Sequence, residues 1–174
     1  ERIGAILLGL RTFSRQETTK KEPLDLKVSI EEALTLTRAE LKNKVEVENK
    51  VTDSLPLVMA NPSQMVQIFV NLFINAKHAM ADRKPARLLI NFEKGEQSVT
   101  LRVSDNGCGI DEETVQKIWH PFFTTKPRGI GTGLGLSIVH GIVKEHQGEI
   151  LVQSELGKGT TFTLSFPVLD PSKK

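Results

Sequence analysis

The segment from Ser104 to Gly135 constrains this chain more than any other. It is long and nearly aperiodic, and it holds Gly107, Gly109, Gly129, Gly131, Gly133 and Gly135 of the chain's 13 glycines. A loop of that length inside a folded domain is usually functional, and regular structure must hold it at both ends. Upstream, Leu88, Ile90 and Phe92, then Val99, Leu101 and Val103, alternate with polar residues about a turn at Lys94-Gly95-Glu96, which predicts a β-hairpin. Within the loop one short helix is expected near Asp111 to Ile118. Downstream, a helix is expected from about Leu134 to His146, followed by strands over 150–154 and 160–166 joined by a Gly-Lys-Gly turn.

Ahead of the hairpin, Asn61-Pro62 supplies a capping side chain and a proline at the first helical position, starting a helix that runs to about Ala81. Leu24 to Lys27 reads as a short strand, and Ser29 as the cap of a helix to about Lys42 whose buried stripe is Ile30, Ala33, Leu34, Thr37 and Leu41. Val45, Val47 and Val51 suggest a strand, and Leu57 to Met59 a further extended piece. The order predicts an α/β two-layer sandwich, a mixed, mostly antiparallel sheet with helices on one face. Ile3, Ile6, Leu7, Leu10 and Phe13 mark a helical face with no cap before Glu1, so the opening is expected to continue a helix begun upstream. The polar stretch ending at Pro23 then divides an N-terminal helix and linker, 1–22, from a domain over 23–169 and a tail over 170–174.

Charge excludes one class of partner. Lys and Arg number 23 against 21 Asp and Glu, a net charge of +2, which is no footprint for nucleic acid. The single cysteine, Cys108, forms no internal disulfide, and with no N-terminal apolar leader this favours a cytoplasmic setting. Apolar runs such as Ala5 to Leu8 fall far short of the ~20 residues of a membrane span. Any membrane attachment is therefore expected through other parts of a parent protein.

Several residues carry possible chemistry. Asn71, Asn75 and His78 lie at i, i+4 and i+7 on one arc of a helix, and paired asparagines in an apolar helix either cap a neighbouring loop or meet an external ligand. Strand parity runs from Val103 to Asp105 and places a carboxylate at the mouth of the interior, where it needs donors. The two glycines that follow, Gly107 and Gly109, let backbone approach a flat ligand beside Ile110, although Asp-Asn-Gly is also an ordinary turn. Gly129, Gly131, Gly133 and Gly135 precede a helix whose first amides suit an anion, without a P-loop or a dinucleotide fingerprint. Between the clusters, Phe122 and Phe123 could hinge a lid, with Lys126 or Arg128 reaching phosphates. Thr160 offers a hydroxyl on the same face as Asp105.

In order, Asn-Leu-Phe-Ile-Asn-Ala, Asp-Asn-Gly-Cys-Gly-Ile, Pro-Phe-Phe-Thr-Thr-Lys, Gly-Ile-Gly-Thr-Gly-Leu-Gly-Leu-Ser-Ile-Val and Gly-Lys-Gly-Thr-Thr-Phe resemble the motif boxes of bacterial sensor histidine kinases. These belong to the wider ATPase superfamily of gyrase, Hsp90 and MutL, and the likeness spans about Pro23 to Pro167. The resemblance implies an ATP-binding catalytic domain. Asn71 and Asn75 would be the asparagines of the helix box, Asn75 holding Mg²⁺. Asp105 would recognise the adenine amine, with Gly107, Gly109 and Ile110 shaping the slot and Thr160 anchoring the base. Gly131, Thr132, Gly133, Leu134, Gly135 and Leu136 would face the phosphates, and Phe122, Phe123, Thr125 and Lys126 would form the lid. His78 stands where many relatives carry Lys, Arg, Asp or Gln; a charged imidazole there would hold phosphate more strongly, so affinity is expected to rise at lower pH.

The resemblance also implies a reaction, transfer of the γ-phosphoryl group to a histidine and onward to a response-regulator aspartate. The acceptor would lie upstream in a motif of His followed by Glu or Asp and, a few residues on, Pro; no such motif occurs in the sequence, so the acceptor is expected to lie outside this chain. Residues Glu1 to about Gln16 are expected to be the second helix of a dimerisation and phosphotransfer hairpin, implying a homodimeric parent with a receiver domain as its partner. His140 and His146 read as surface or packing residues. A clamp-type ATPase would want a glutamate where Asn71 stands; an anti-sigma-type serine kinase would not be expected to carry the opening helix. A nucleotide-sensing module remains the third alternative.

Overall fold

The computed structural model describes residues 20–95, 97–126 and 131–169. The expected opening helix, Arg128, Gly129 and the tail lie outside these. Among the described residues, no helix is long and apolar enough to cross a membrane.

Strand β1 (Glu22–Leu24) pairs antiparallel with β3 (Val58–Ala60). Between them, α1 (Leu26–Leu41) starts earlier than the sequence suggested. Asp25 rather than Ser29 caps it, because the Asp25 carboxylate accepts from the amides of both Lys27, at 2.9 Å, and the distant Leu55, at 3.2 Å. Ser29 is buried inside the first turns. The expected strand over 24–27 correspondingly moves back to Glu22–Leu24. Buried Thr37 donates its hydroxyl to the Ala33 carbonyl at 2.7 Å, so the apolar stripe carries no polar penalty there.

Helix α2 (Pro62–Ala79) begins where Asn61-Pro62 predicts, with the Asn61 side chain accepting from Gln64 N at 3.1 Å. Its buried face includes Ile68, Phe69, Leu72 and Phe73, and the rings of Phe69 and Phe73 lie 6.2 Å apart. Burying one such side chain contributes about 2–3 kcal/mol, so this face anchors the helix that carries the paired asparagines.

The main sheet has the order β2-β4-β5-β7-β6. Edge strand β2 (Glu46–Asn49) runs parallel to β4 (Arg87–Lys94); β5 (Ser98–Asp105), β7 (Gly159–Pro167) and β6 (Glu149–Glu155) add antiparallel neighbours. Leu88, Ile90, Val99, Leu101, Val103, Ile150, Phe162, Leu164 and Phe166 are buried beneath the helices. The other face pairs hydroxyls, Thr100 with Ser165 and Ser104 with Thr161, each at 2.9 Å. This is the expected two-layer sandwich. Val47 departs from the expected inward pattern and is exposed on β2, as an edge strand allows. Short α3 (Glu112–Val115) and α4 (Gly135–Glu145) complete the helices.

His146, just past α4, is a packing residue with a titration consequence. It is 4% exposed, its Nε2 accepts from the Asn61 amide at 3.1 Å, and its Nδ1 lies 2.8 Å from the Ile142 carbonyl. It thereby pins the end of α4 to the start of α2. Burial holds the imidazole below its ordinary value of 6.5. The unfolded chain therefore binds the proton first, so stability present above about pH 6.5 is lost as pH falls toward the folded value. The melting temperature is expected to drop on acidification below pH 6.5, with a shallower drop in His146→Gln; identical slopes in thermal melts would show that His146 does not contribute.

Candidate functional site

The site gathers at the C-terminal end of β5 and the N-terminal end of β7, where Asp105 and Thr160 are register partners. The Asp105 carboxylate accepts from Gly107 N at 2.8 Å. Burial nonetheless raises its pKa above the ordinary carboxylate value, the backbone donors of Gly107 and Thr160 opposing only part of that shift. A half-buried carboxylate of this kind favours a ligand that brings a hydrogen-bond donor.

Around it runs a polar chain. Ile110 N donates to Ser154 Oγ at 2.8 Å, Ser154 Oγ lies 2.8 Å from Thr160 Oγ1, and Ser154 donates to the Gly159 carbonyl at 3.0 Å. Thr160 is buried, as its strand parity predicts. The loop after Asp105 crosses the end of α2, Cys108 N donating to the Ala79 carbonyl at 2.9 Å. It then packs on the β6–β7 turn so tightly that a Cβ at Gly109 would stand 2.0 Å from the Glu155 carbonyl oxygen; its φ is +74°. Only glycine fits that approach.

About one and two helical turns back along α2 from Ala79, Asn75 and Asn71 meet the start of α4. A Cβ at Gly135 would lie 3.2 Å from Asn71 Oδ1 and 3.7 Å from Asn75 Nδ2. Leu134 caps α4 with no side-chain hydrogen bond to the helix amides. The Lys126 ammonium donates to Asn75 Oδ1 at 3.1 Å and lies 2.9 Å from His78 Nδ1. A charged ammonium has no lone pair, so Nδ1 accepts and the imidazole proton resides on Nε2.

Electrostatics at this end overturn one expectation. Burial first, then Lys126 and Lys77, hold His78 at about 4. His78 is consequently neutral between pH 6 and 8 in this arrangement, and the expected gain of charge at mildly acid pH has no source in the free protein. Lys126 is itself depressed by burial and by Lys77, while Lys77 is paired with Glu40 at 2.5 Å.

The residues expected to form a lid divide. Phe123 packs against the core, whereas Phe122 is 74% exposed at φ +66°. The expected pair of hinging aromatics is thus one anchor and one outward ring, because the backbone reverses between them. Gly133 lies against this reversal: its own φ is +68°, and a Cβ there would be 2.3 Å from the Phe122 carbonyl carbon. Thr125 and Thr132 are exposed, and Leu136 packs on the core. Thr132 Oγ1 accepts from Leu134 N at 3.4 Å, and Gly131 lies beside Thr124 and Lys126. Trp119, just ahead of this loop, has its ring 5.4 Å from that of His140 and 6.2 Å from that of Phe162.

Two contributors escaped the sequence reading. Ser154 shares the inward parity of Ile150 and Val152, so a hydroxyl at the pocket end of β6 was the available signal. Arg83 donates from Nη2 to the carbonyls of Gly107, at 3.1 Å, and Gly157, at 2.5 Å, and no motif announces it. A separate concavity of about 730 Å³ beside the end of α2, lined by Lys44, Lys77, Arg83 and Lys84 among others, shares only His78 with the predicted set.

A family model described as histidine kinase-, DNA gyrase B-, and HSP90-like ATPase matches residues 60–170. Sensor kinase CckA of Brucella abortus (strain 2308) is 37% identical over 188 residues, covering 99% of this chain and 20% of its own length. The signal transduction histidine-protein kinase AtoS of Escherichia coli (strain K12) is 34% identical over 167 residues, covering 95% of this chain and 27% of its own. The chain thus spans about a quarter or less of the length of these relatives. Among solved structures, the catalytic domain of histidine kinase ThkA is 29% identical with a TM-score of 0.72, covering 86% of this chain and 98% of that one. Mycobacterial sensor histidine kinase MprB gives 25% and 0.74, covering 85% and 97%.

Proposed function

Because the chain belongs to the histidine kinase-, DNA gyrase B-, and HSP90-like ATPase family, as a catalytic ATP-binding domain of the sensor histidine kinase type, we propose that it binds Mg-ATP and donates the γ-phosphoryl group to a histidine on a separate helical hairpin. The observation that carries this reading is the half-buried Asp105, hydrogen-bonded to Gly107 and facing Thr160, with the loop that follows it bonded through Cys108 N to the end of the helix that bears the asparagine pair. In this reading Asp105 accepts from the adenine amine, Ile110 and the glycine backbone form the slot, and Thr160 with Ser154 anchors the base. The triphosphate extends along α2 toward Asn71, Asn75 and the amides that open α4, whose dipole favours the anion.

The donor chemistry near Asn75 fits Mg²⁺. Asn75 Oδ1 is a hard oxygen already aimed at a cation, the Lys126 ammonium. Among the described residues no group of three or more His, Cys, Asp or Glu could hold a metal, which agrees with an ion held mainly by phosphate oxygens, water and one or two carboxamides. When bound, the ion would neutralise charge on the β- and γ-phosphates. Lys126, released from Asn75, would then turn to the phosphates, while an incoming imidazole nitrogen attacks the γ-phosphorus, the bond to the bridging oxygen breaks and ADP departs. With an amide rather than a carboxylate at Asn71, that position offers no general base to activate water, and the sensor-kinase relatives also set the clamp-type ATPase aside.

The parent is proposed to be a homodimer that relays the phosphoryl group to a receiver domain, in a cytoplasmic setting; residues 1–22 would belong to the phosphotransfer hairpin and linker, and 23–169 to the catalytic domain. The test supplies that hairpin in trans with γ-labelled ATP. Acid-labile, alkali-stable label on its histidine is the expected result; free phosphate without labelled histidine would return the reading to an ATPase. Asn75→Ala is expected to weaken Mg-ATP binding about tenfold, roughly 1.4 kcal/mol, while leaving adenosine unaffected in isothermal titration. An equal loss for adenosine would invert the assigned ends of the site.

A further inference from the structure

Arg83 lies in the turn after α2, outside every motif that the resemblance identifies. Its half-buried guanidinium touches two loops at once through the carbonyls of Gly107 and Gly157. Gly157 N donates in turn to the Cys108 carbonyl at 2.7 Å, and Cys108 N to Ala79 at 2.9 Å. Four hydrogen bonds therefore link the end of α2, the loop following Asp105 and the β6–β7 turn. Among the described residues Arg83 forms no salt bridge, so its charge is directed at backbone carbonyls, the acceptors with which a cation makes charge-assisted bonds.

We propose that Arg83 is a positioning residue for the base-binding slot, holding the Gly107–Gly109 loop against the β6–β7 turn so that Asp105 and Ile110 are arranged before the ligand arrives. The inference rests on the proposed assignment of that slot to adenine. Its physical basis is preorganisation. Gly107, Gly109 and Gly157 give both loops large conformational freedom, and a ligand that had to order them itself would bind more weakly. Arginine suits the task because the two hydrogens of Nη2, from which both bonds leave, are fixed in the guanidinium plane, whereas the lysine ammonium rotates freely on a flexible stem.

The experiment titrates this chain with adenosine, ADP and ATP in wild type, Arg83→Ala, Arg83→Lys and Asp105→Ala, with Trp119 fluorescence checking the fold. Arg83→Ala is expected to weaken all three ligands by one common factor of about tenfold, with Arg83→Lys in between and faster amide exchange at Cys108 and Gly157. A loss that grows from adenosine to ADP to ATP would mean direct phosphate contact and would overturn the proposal. So would unchanged affinities in Arg83→Ala. If Arg83→Ala fails to fold, Arg83→Lys and Arg83→Gln carry the same comparison across the three ligands. Asp105→Ala separates the two levels: unchanged adenosine binding there defeats the slot assignment, whereas loss there with no change at Arg83 defeats only the role given to Arg83.

Discussion

Asp105→Ala is expected to lose ATP and ADP alike, by a factor of about a hundred or more, in a chain that still folds. The substitution removes the carboxylate proposed to accept from the adenine amine and also leaves Gly107 N without its 2.8 Å acceptor. Charge-assisted hydrogen bonds contribute about 1.5–3 kcal/mol each, and disorder in the glycine loop adds to the loss. The fold should survive because Asp105 ends β5 rather than filling the core, and the ladder from Ser98 to Val103 against β4 and β7 is untouched. The wild-type chain carries a pH dependence that the mutation removes. Burial raises the carboxyl above its ordinary value, so the free protein takes up a proton at a higher pH than an exposed aspartate would. Bound nucleotide favours the ionised form, so affinity is flat at neutral pH and falls on acidification, by up to about 1.4 kcal/mol per pH unit below the free-state pKa. Titrations at several pH values check both parts; ADP affinity unchanged in Asp105→Ala would remove Asp105 from the base site.

Gly109→Ala is expected to damage both stability and binding, each for the same steric reason. A left-handed backbone costs a non-glycine residue about 1–2 kcal/mol, and the new methyl would stand 2.0 Å from the Glu155 carbonyl oxygen, so one loop must move off the other. The loss of stability is expected to exceed about 2 kcal/mol, with adenosine affinity falling at least tenfold. Gly157→Ala provides the control. Its φ of +79° is equally left-handed, but nothing lies within 4 Å of the added Cβ. Its loss should stay near the backbone term of about 1–2 kcal/mol. Equal losses in the two variants, measured by denaturant unfolding, would mean that packing between the loops contributes nothing.

The motif-bearing parts of the site were legible because their chemistry is local. Asn61-Pro62 declared the start of α2, and helical spacing put Asn71, Asn75 and His78 on one arc. Strand parity brought Asp105 and Thr160 to one face, where the β5–β7 register makes them partners. Where the structure departs from the local sequence signal, the deciding contact is long-range. Asp25 displaced Ser29 as a cap because Leu55, thirty residues away, supplies a second donor to it. His78 reads as a possible phosphate-binding cation by its position on the wheel, yet burial and two neighbouring ammonium groups keep it neutral.

The sequence by itself determined the family and the layer architecture and singled out the residues of the candidate site, since motifs, periodicity, caps and glycine spacing are encoded within a few positions of one another. Tertiary structure alone decided which of those residues touch. Only folding brings Lys126 onto Asn75 and His78, joins Ser154 to Ile110, and lays Arg83 across Gly107 and Gly157. The reason is physical: hydrogen bonds between loops, and the burial that shifts a pKa, depend on separations through space that linear spacing does not contain.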